Sequence, residues 1–190
     1  MDTSPEISIC TRQDFDQILE DLPEFWDGRD TRHLHHPFLI HEFGNTAFVI
    51  RDGSRVVAYL LGFISQTQLV GYVHTLAVRA SARRRHLAHQ LFDHFIECAR
   101  RHGCRHIKAI TTPSNLGSIA FHKSLGMHLL GEPNSEGISV VPDYAGRAAP
   151  RVVFWKDILA GTRTIPRWRA TANEDAHQRK MCDGGHITSP

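Results

Sequence analysis

The chain has 190 residues, 41% of them hydrophobic, and 22 Lys and Arg side chains against 20 Asp and Glu give a formal net charge of +2. This length fits one globular domain with a short appendage, and the balanced composition excludes a wholly disordered chain. No apolar run approaches the roughly 20 residues that a membrane span needs, and residues 1–8 lack the pattern of a signal peptide. We therefore expect a soluble, cytoplasmic protein with no membrane partner.

The charge is unevenly distributed along the chain. Residues 1–60 carry 5 basic and 11 acidic side chains, a net charge of −6, whereas residues 61–130 carry 9 and 2, a net charge of +7. Residues 131–190 carry 8 basic and 7 acidic side chains. A basic segment favours an anionic ligand, and an acidic segment favours a cationic one. The two segments therefore predict two different kinds of ligand.

The N-terminal third predicts one strand and two helices. Residues Ile7–Ile9 alternate as in a short strand, and Thr11 with Asp14 forms a capping-box pattern that begins a helix. That helix is predicted to run from Thr11 to Leu22, where the following proline ends it. A second helical stretch is predicted from about Arg32 to Phe43.

Three β-type runs then predict an antiparallel meander, and they lie at Asn45–Arg51, Arg55–Ser65 and Leu69–Val78. Asp52-Gly53 between the first two runs is a strong hairpin signal. The polar residues Gln66-Thr67-Gln68 can turn the second run into the third.

Helices and strands alternate in the remainder. Helices are predicted from about His86 to His102 and from Ser114 to Leu125, each stopped by a glycine. The remaining predicted strands are His106–Thr111, Met127–Gly131 and Arg151–Trp155. We expect one domain over residues 1–160 and a polar, loosely ordered tail over residues 161–190.

The strongest local signal is a basic loop between a buried strand and a helix start, with the sequence Leu76-Ala77-Val78-Arg79-Ala80-Ser81-Ala82-Arg83-Arg84-Arg85-His86-Leu87-Ala88. Unpaired amides at a helix start bind phosphate groups with the help of the helix dipole, and four arginines add positive charge. The loop therefore predicts a phosphorylated ligand. A solvated basic loop or a nucleic-acid patch is the alternative.

Two motifs in register resemble the GCN5-related N-acetyltransferase (GNAT) superfamily. Its acetyl-coenzyme A loop reads Arg/Gln-x-x-Gly-x-Gly/Ala after a Leu-Ala-Val strand, and residues 83–88 fit except that His86 replaces the first glycine. The second motif reads Asn-x-x-Ala/Ser-x-x-x-Tyr-x-x-x-Gly-Phe. It is met at the same spacing by Asn115, Ser118, His122, Gly126 and Met127. The chain is thus similar to GNAT proteins over about residues 5–157.

The resemblance implies the GNAT fold, an α/β (α+β) architecture. A central mixed, mostly antiparallel sheet of about seven strands would be flanked by about four helices. Two neighbouring strands would splay apart where acetyl-coenzyme A, the co-substrate, binds. The predicted order of helices and strands is the order found in that superfamily.

The resemblance also assigns the motif residues to acetyl-coenzyme A. Main-chain groups of Leu76 and Val78 would bind the pantetheine arm, and the Leu76 amide would polarise the thioester carbonyl. Asn115 would hydrogen-bond the pantetheine amide, although a helix-cap role explains it almost as well. The expected coenzyme-binding residues are Leu76, Ala77, Val78, Arg83, Arg84, Arg85, His86, Leu87, Ala88, Asn115 and Ser118. Because His86 replaces a glycine, we expect coenzyme binding to be weakened rather than lost.

The reaction requires two proton transfers, one to a general acid's target, the leaving thiolate, and one from the acceptor amine to a base. His122 occupies the position of the family's general acid, and imidazole, with an ordinary pKa near 6.5, is a donor in either protonation state. A histidine packed on the inner helix face is the alternative. His74 is the first candidate for the base, since it lies two residues before Leu76 and is expected on the same strand face. Glu42 is the second candidate, and a structural contact to a neighbouring strand is the alternative for His74.

The resemblance implies that the first two helices, which lie in the acidic N-terminal third, wall the acceptor site. Carboxylates and aromatic rings there suit a cationic amine. The expected substrate-binding residues are Trp26, Asp30, Phe43 and Tyr72. Residues Thr111–Asn115 look like their counterpart in diaminobutyrate acetyltransferases. We expect transfer of an acetyl group to a small-molecule amine by direct attack in a ternary complex. A protein or peptide amine, or a catalytically weakened binding module, is the alternative.

Metal and macromolecular partners are not expected. Cys98, His102, Cys104 and His106 have the residue types of a zinc site, but Cys98 falls on the apolar stripe of its helix and a turn separates the later pair. The four cysteines lack Cys-x-x-Cys spacing, which indicates reduced thiols. We expect no metal and no nucleic-acid partner, and the sequence leaves a homodimer open.

Overall fold

The computed structural model describes residues 5–159, which form nine strands and five α-helices. The strands are β1 Ile7–Ile9, β2 Ala47–Asp52, β3 Arg55–Ile64, β4 Val70–Val78, β5 His106–Thr111, β6 His128–Leu130, β7 Glu132–Pro133, β8 Ser139–Val140 and β9 Val152–Asp157. The helices are α1 Arg12–Glu20, α2 Leu22–Trp26, α3 Phe38–His41, α4 Leu87–Arg101 and α5 Leu116–Ser124. The predicted tail, residues 161–190, lies outside the described residues. Within the described part, no helix combines the length and apolar character that a membrane span requires.

Seven strands form one mixed sheet in the order β1-β2-β3-β4-β5-β9-β6. All neighbouring pairs are antiparallel except β4 and β5, which are parallel. The predicted meander and the hairpin after Asp52 are confirmed, with Gly53 at φ 60° in a turn that brings Asp52 opposite Arg55. The small hairpin of β7 and β8 was not predicted. The mixed, mostly antiparallel α/β architecture is thus confirmed.

Prolines change the two predicted N-terminal helices. The capping box of Thr11 and Asp14 begins α1 as predicted, but Pro23 does not end the helical region; it lies in the first turn of α2. Proline is accepted there because its missing N–H is one that has no partner in a helix. The predicted helix from Arg32 to Phe43 is broken into a 3-10 turn, Arg32–Leu34, and α3, because the residue before Pro37 is forced out of the helical region. Five helices therefore occur within residues 5–159 instead of about four.

Two layers of helices cover the two faces of the sheet. One face packs against α4 and α5, and its core includes Phe95, Leu60 and Phe154. α4 lies close to the strands here, since a Cβ added to Gly62 would be 2.7 Å from Cε2 of Phe95. The opposite face packs against α1, α2 and α3 over β2 to β4. Farther along that face, Leu130, Val141, Tyr144 and other residues form a separate cluster over β5 and β9.

The parallel strands β4 and β5 separate after three residue pairs. Val70–Tyr72 pair with His106–Lys108, and both strands continue beyond them without pairing to each other. We call this opening the fork. On its other side β4 stays paired to β3, but the partner of Leu61 is Thr75 and the partner of Gly62 is Val73, so His74 is an extra residue in a β-bulge. The fork is the splayed pair of strands that the sequence predicted.

Candidate functional site

The backbone of β4 presents Leu76 and Val78 to the fork. The N–H of Arg79 donates to the carbonyl oxygen of Val57 at 2.9 Å, so residue 79 is directed toward β3. Backbone groups of successive strand residues point to opposite neighbours, and Ala77 is therefore also directed toward β3. Leu76 and Val78 point the other way, where β5 has moved apart. The expectation that Ala77 belongs to the coenzyme site is corrected, because its side chain also lies in the α1–α2 core.

The loop before α4 ends in a left-handed residue at the position where the family motif has glycine. His86 has φ 59° and is the N-cap residue of α4, and it makes no capping hydrogen bond with its side chain. The first N–H groups of a helix have no acceptor within the helix. α4 is 15 residues long and therefore has a full dipole. The helix start thus offers uncapped donors and partial positive charge to an anion.

Two of the four loop arginines are bound within the protein. Arg79 is 1% exposed and forms ion pairs with Asp21 and Glu24, each at 2.6 Å. Arg83 pairs with Asp27 at 2.9 Å and also donates to the Phe25 carbonyl oxygen. These carboxylates and this carbonyl belong to α2 or to the residue on either side of it. The side chain of Arg83 is therefore directed toward α2, and 40% of it stays exposed.

Positive charge remains at the other two arginines. Arg84 has φ 64°, and Arg85 is exposed with a distant contact of 3.9 Å to Asp52. Leu87, in contrast, is buried in the α4-side core, so only its backbone can face a ligand. Ala88 is half-buried in the first turn of α4.

The second motif forms the start of α5. Asn115 is the N-cap residue, and its side-chain oxygen accepts from the N–H of Ser118 at 3.2 Å. This is the helix-cap role that the sequence analysis gave as the alternative to a bond with pantetheine. The carbonyl oxygen of Ser118 in turn accepts from Nδ1 of His122 at 2.8 Å. The motif residues thus brace one another along one side of the helix.

His122 is buried and oriented by two contacts. Its ring stacks on Phe154 of β9, with ring centres 4.2 Å apart and an interplanar angle of 8°. Burial lowers the pKa of His122, while the hydrogen bond to the Ser118 carbonyl oxygen opposes that shift. Because Nδ1 carries the proton in that bond, Nε2 of the neutral ring is an acceptor. The expectation that neutral His122 can donate toward a thiolate is corrected: only the imidazolium can donate from Nε2.

A chain of rings connects the coenzyme loop to α5, and sequence reasoning missed two of its members. His89 lies 5.7 Å from His86 and 5.9 Å from Phe121, measured between ring centres. Phe121 lies 5.4 Å from His122. The helical spacing of His86 and His89 was a signal that could have linked them. These rings connect the start of α4 to α5.

His74 lies on the opposite face of the sheet from the α4-side core. Its Nε2 donates to the carbonyl oxygen of Leu34 at 2.8 Å, whereas Leu76 packs against the α4-side core. The expectation that His74 and Leu76 share a face is wrong, because the bulge at His74 breaks the alternation. Burial lowers the pKa of His74, so the neutral ring is favoured, with its lone pair on Nδ1. That state can accept a proton.

A buried hydrogen-bonded network holds the segment that contacts His74. Nδ1 of His35 donates to the Thr31 carbonyl oxygen at 2.8 Å, and Nε2 of His35 accepts from the Tyr59 hydroxyl at 2.7 Å. That hydroxyl accepts from Nε1 of Trp26 at 2.7 Å. His35 follows Leu34 directly, so this network fixes the carbonyl that orients His74. Sequence reasoning missed Tyr59, which no motif marks.

The expected acceptor residues lie in two groups. Trp26 belongs to the network around Tyr59, and Phe43 and Tyr72 contact the two sides of Phe63, at 5.4 and 4.8 Å between ring centres. Asp30 is exposed, and its carboxylate accepts from the N–H of Arg32. Glu42 is exposed at the end of α3. The aromatic residues are thus placed on the face of His74, while the two carboxylates are solvated.

The residues with zinc-ligand character at the end of α4 and in β5 form hydrogen bonds within the protein. Nδ1 of His102 donates to the Cys98 carbonyl oxygen at 2.9 Å, and Nδ1 of His106 lies 2.6 Å from Asp157. Cys10, Cys98 and Cys104 are buried free thiols. Among residues 5–159, no group of three or more potential ligands could hold a metal ion.

Comparisons with known proteins agree with this geometry. The family described as acetyltransferase (GNAT) matches residues 13–127. The L-2,4-diaminobutyric acid acetyltransferase of Shouchella clausii (strain KSM-K16) is 33% identical over 84 residues, which are 44% of this chain and 47% of that protein. The chain therefore matches about half the length of this relative.

Two solved structures show the same fold. An aminoglycoside 6'-N-acetyltransferase complexed with coenzyme A has a TM-score of 0.60 and 16% identity, over 83% of this chain and 99% of that one. The ribosomal-protein-S18-alanine N-acetyltransferase from Escherichia coli has a TM-score of 0.56 and 14% identity, over 86% and 99%. Since the family match covers more than half of the chain and the fold agrees, the protein belongs to the acetyltransferase (GNAT) family.

Proposed function

We propose that the protein transfers an acetyl group from acetyl-coenzyme A to a primary amine of a small molecule, by direct attack in a ternary complex. The observation that carries this proposal is the fork, with free backbone groups on one side and a bulged histidine at its apex. The uncapped start of α4 lies at the end of the same strand. Acetyl-coenzyme A supplies the activated acetyl thioester.

The chain's own groups fit the two ends of this co-substrate. Backbone groups of Leu76 and Val78 hold the pantetheine arm, as a further strand would be held. The pyrophosphate lies against the N–H groups at the start of α4, with Arg84 and Arg85 as counter-charge. The aminoglycoside 6'-N-acetyltransferase structure, which has coenzyme A bound, supports this assignment.

Two histidines move the protons. His74 accepts the proton of the ammonium group at Nδ1, because an ammonium has no lone pair for attack. The amine nitrogen then bonds to the acetyl carbon, the carbon–sulfur bond breaks, and the new amide nitrogen gives up its extra proton to water. The imidazolium of His122 returns a proton to the sulfur from Nε2. Water then reprotonates His122, and His74 releases its proton.

The acceptor is proposed as a small molecule because of the names of two similar proteins. One relative is named for L-2,4-diaminobutyric acid and a structural neighbour for aminoglycosides. Another neighbour acts on a ribosomal protein, as its name states, so a protein amine is the second candidate. Short aromatic walls formed by Phe43, Phe63 and Tyr72 favour the small molecule.

The first experiment measures coenzyme binding by thermal denaturation. Acetyl-coenzyme A at about 100 times its Kd stabilises a protein by about 2.7 kcal/mol, which for a chain of this size raises Tm by about 5 °C or more. The acetyl thioester of N-acetylcysteamine, which lacks the nucleotide and pyrophosphate, serves as the control and shifts Tm less. No shift at millimolar acetyl-coenzyme A would exclude the coenzyme assignment.

The second experiment measures turnover. Release of free thiol from acetyl-coenzyme A is followed across a panel of diamines, amino acids, aminoglycosides and peptides. Release with a small amine and none with peptides supports the proposal. Binding without release from any amine would identify a non-catalytic module, an outcome favoured by the substitutions at His86 and His122.

A further inference from the structure

We propose that the hydroxyl group of Thr75 binds the reacting amine of the acceptor and orients it beside His74. This inference rests on the proposed function and adds a binding residue to the same site. Thr75 was not among the expected site residues, because it lies between two of them, His74 and Leu76, and belongs to no motif.

The side chain of Thr75 lies on the face of the sheet that carries His74. Ala77, two residues further along β4, is buried in the core on the side of α1 to α3, and so is Leu61, the partner of Thr75 on β3. Side chains two residues apart on a strand share a face, and so do paired residues on neighbouring strands. His74 is on this face, where it donates to Leu34. The bulge therefore places two successive side chains, those of His74 and Thr75, on the same side.

Thr75 also lies beside the fork. The pairing of β4 with β5 ends at Tyr72, so β5 no longer pairs with β4 at the level of Thr75. The next residue, Leu76, directs its backbone groups into the fork, where they would hold the pantetheine arm. Thr75 is therefore placed between the candidate base, His74, and the backbone that would hold the acetyl thioester.

The hydroxyl of Thr75 has no hydrogen-bond partner although it is buried. Thr75 is 3% exposed, and within residues 5–159 the only buried side-chain oxygen or nitrogen atoms without a partner are Oγ1 of Thr75 and Oγ1 of Thr31. By contrast, the buried hydroxyl of Thr46 donates to the Gly62 carbonyl oxygen at 2.7 Å. A buried polar group without a partner destabilises a fold, so folding by itself gives no reason for a hydroxyl at Thr75.

An acceptor amine supplies the missing partner. A hydroxyl oxygen accepts hydrogen bonds from N–H groups, and a primary ammonium group has three of them. One N–H points to Nδ1 of His74, which takes the proton, and a second binds Oγ1 of Thr75. After the proton has moved to His74, the bond to Thr75 keeps the neutral amine in the site while its lone pair turns to the acetyl carbon. Such positioning lowers the barrier, because the reacting atoms are already held together.

The test removes the hydroxyl and keeps the shape of the side chain. Thr75→Val should lower kcat/KM for the amine about tenfold or more, because a hydrogen bond to a charged group is lost. KM for acetyl-coenzyme A should stay unchanged. Thr75→Ser keeps the hydroxyl and should retain most of the activity. Thiol release is measured with L-2,4-diaminobutyrate, cadaverine and kanamycin as acceptors.

Stability separates this role from a structural one. In the absence of ligand, Thr75→Val should raise Tm by about 2–4 °C, since it replaces an unpartnered hydroxyl with a methyl group. Thr46→Val is the matched control for stability. It removes a hydrogen-bonded hydroxyl from another buried threonine and should lower Tm.

The inference is overturned if Thr75→Val keeps the wild-type kcat/KM for the amine, if it raises KM for acetyl-coenzyme A instead, or if it lowers Tm as Thr46→Val does. In each of these cases, thiol release by the wild type would still support the proposed function. A wild type that releases no thiol with any of the three amines would overturn the small-molecule proposal and this inference together.

Discussion

The two faces of the sheet beside the fork are built in different ways. On the side of α4 and α5, the candidate coenzyme site comes from two short stretches, residues 76–88 and 115–122, whose contacts are mostly local. On the other face, the contacts join residues far apart in sequence: Leu34 with His74, and Trp26 and His35 with Tyr59. Local backbone geometry specifies the first side, and tertiary packing specifies the second.

The two sides are joined by ion pairs at the end of β4. Carboxylates of the acidic N-terminal third, Asp21, Glu24 and Asp27, bind Arg79 and Arg83 of the basic loop. The opposite charges of the two segments thus bind each other in part. The positive charge of the basic loop that is left for a ligand is smaller than the sequence suggests, and it is located at Arg84 and Arg85.

The largest expected effect on stability comes from breaking the ion pairs of Arg79. Arg79→Met removes a buried cation that donates to two carboxylates and to the Val56 carbonyl oxygen. Breaking a buried ion pair by removing one partner costs about 3 kcal/mol, and urea denaturation should show a loss of that size. Both melting temperature and coenzyme affinity should fall, because the ion pairs of Arg79 hold α2 against the basic loop.

Arg12→Met is the control for this variant. Its ion pair with Asp16 is exposed and lies within one helix, so its loss should cost less than about 0.5 kcal/mol. Equal losses of unfolding free energy in the two variants would mean that the ion pairs of Arg79 do not stabilise the fold.

The next largest effect is expected at His122. His122→Phe keeps a ring stacked on Phe154 but removes the proton donor, and kcat should fall about 100-fold while KM for acetyl-coenzyme A changes little. His122→Tyr restores a donor of the kind found in the family motif and should recover most of that loss. Steady-state thiol release measures both variants.

The pH dependence adds a second measurement at this site. Burial lowers the pKa of His122, so its imidazolium is depleted as pH rises toward 7. Deprotonation of the base His74 acts on kcat in the opposite direction, so the decline is measured as the ratio of wild-type kcat to that of a variant that keeps a proton donor. His122→Tyr should lose this decline, since a phenol stays protonated at these pH values. If His122→Phe keeps the wild-type kcat and pH profile, the proton comes from another group.

The smallest effect is expected at His86. The backbone of His86 is in the left-handed region, where a residue with a side chain is strained. His86→Gly removes this strain but makes the unfolded chain more flexible, so the net stabilisation should be about 0.5 kcal/mol. Coenzyme affinity, measured by titration calorimetry, should rise slightly. His86→Ala keeps the strain and removes the ring. If His86→Ala binds as tightly as His86→Gly, then strain is not what limits binding.

Much of the fold could be predicted, because periodicity and turn chemistry are local. Thr11 and Asp14 marked a helix start, and Asp52-Gly53 marked a hairpin. Pro23 was misread because proline ends a helix in one position and begins it in another. The bulge at His74 could not be predicted, because it arises from the packing of β3 against β4 and shifts the face of a candidate base.

The sequence by itself determined the family, the order of the seven strands of the main sheet, and the basic loop that leads into the start of α4. Each of these depends on residues near one another in the chain. Only the tertiary structure decided which arginines are bound to α2, and which nitrogen of His74 and of His122 carries the proton. These properties depend on contacts between distant residues, because charge pairing and burial are set by what the fold brings together.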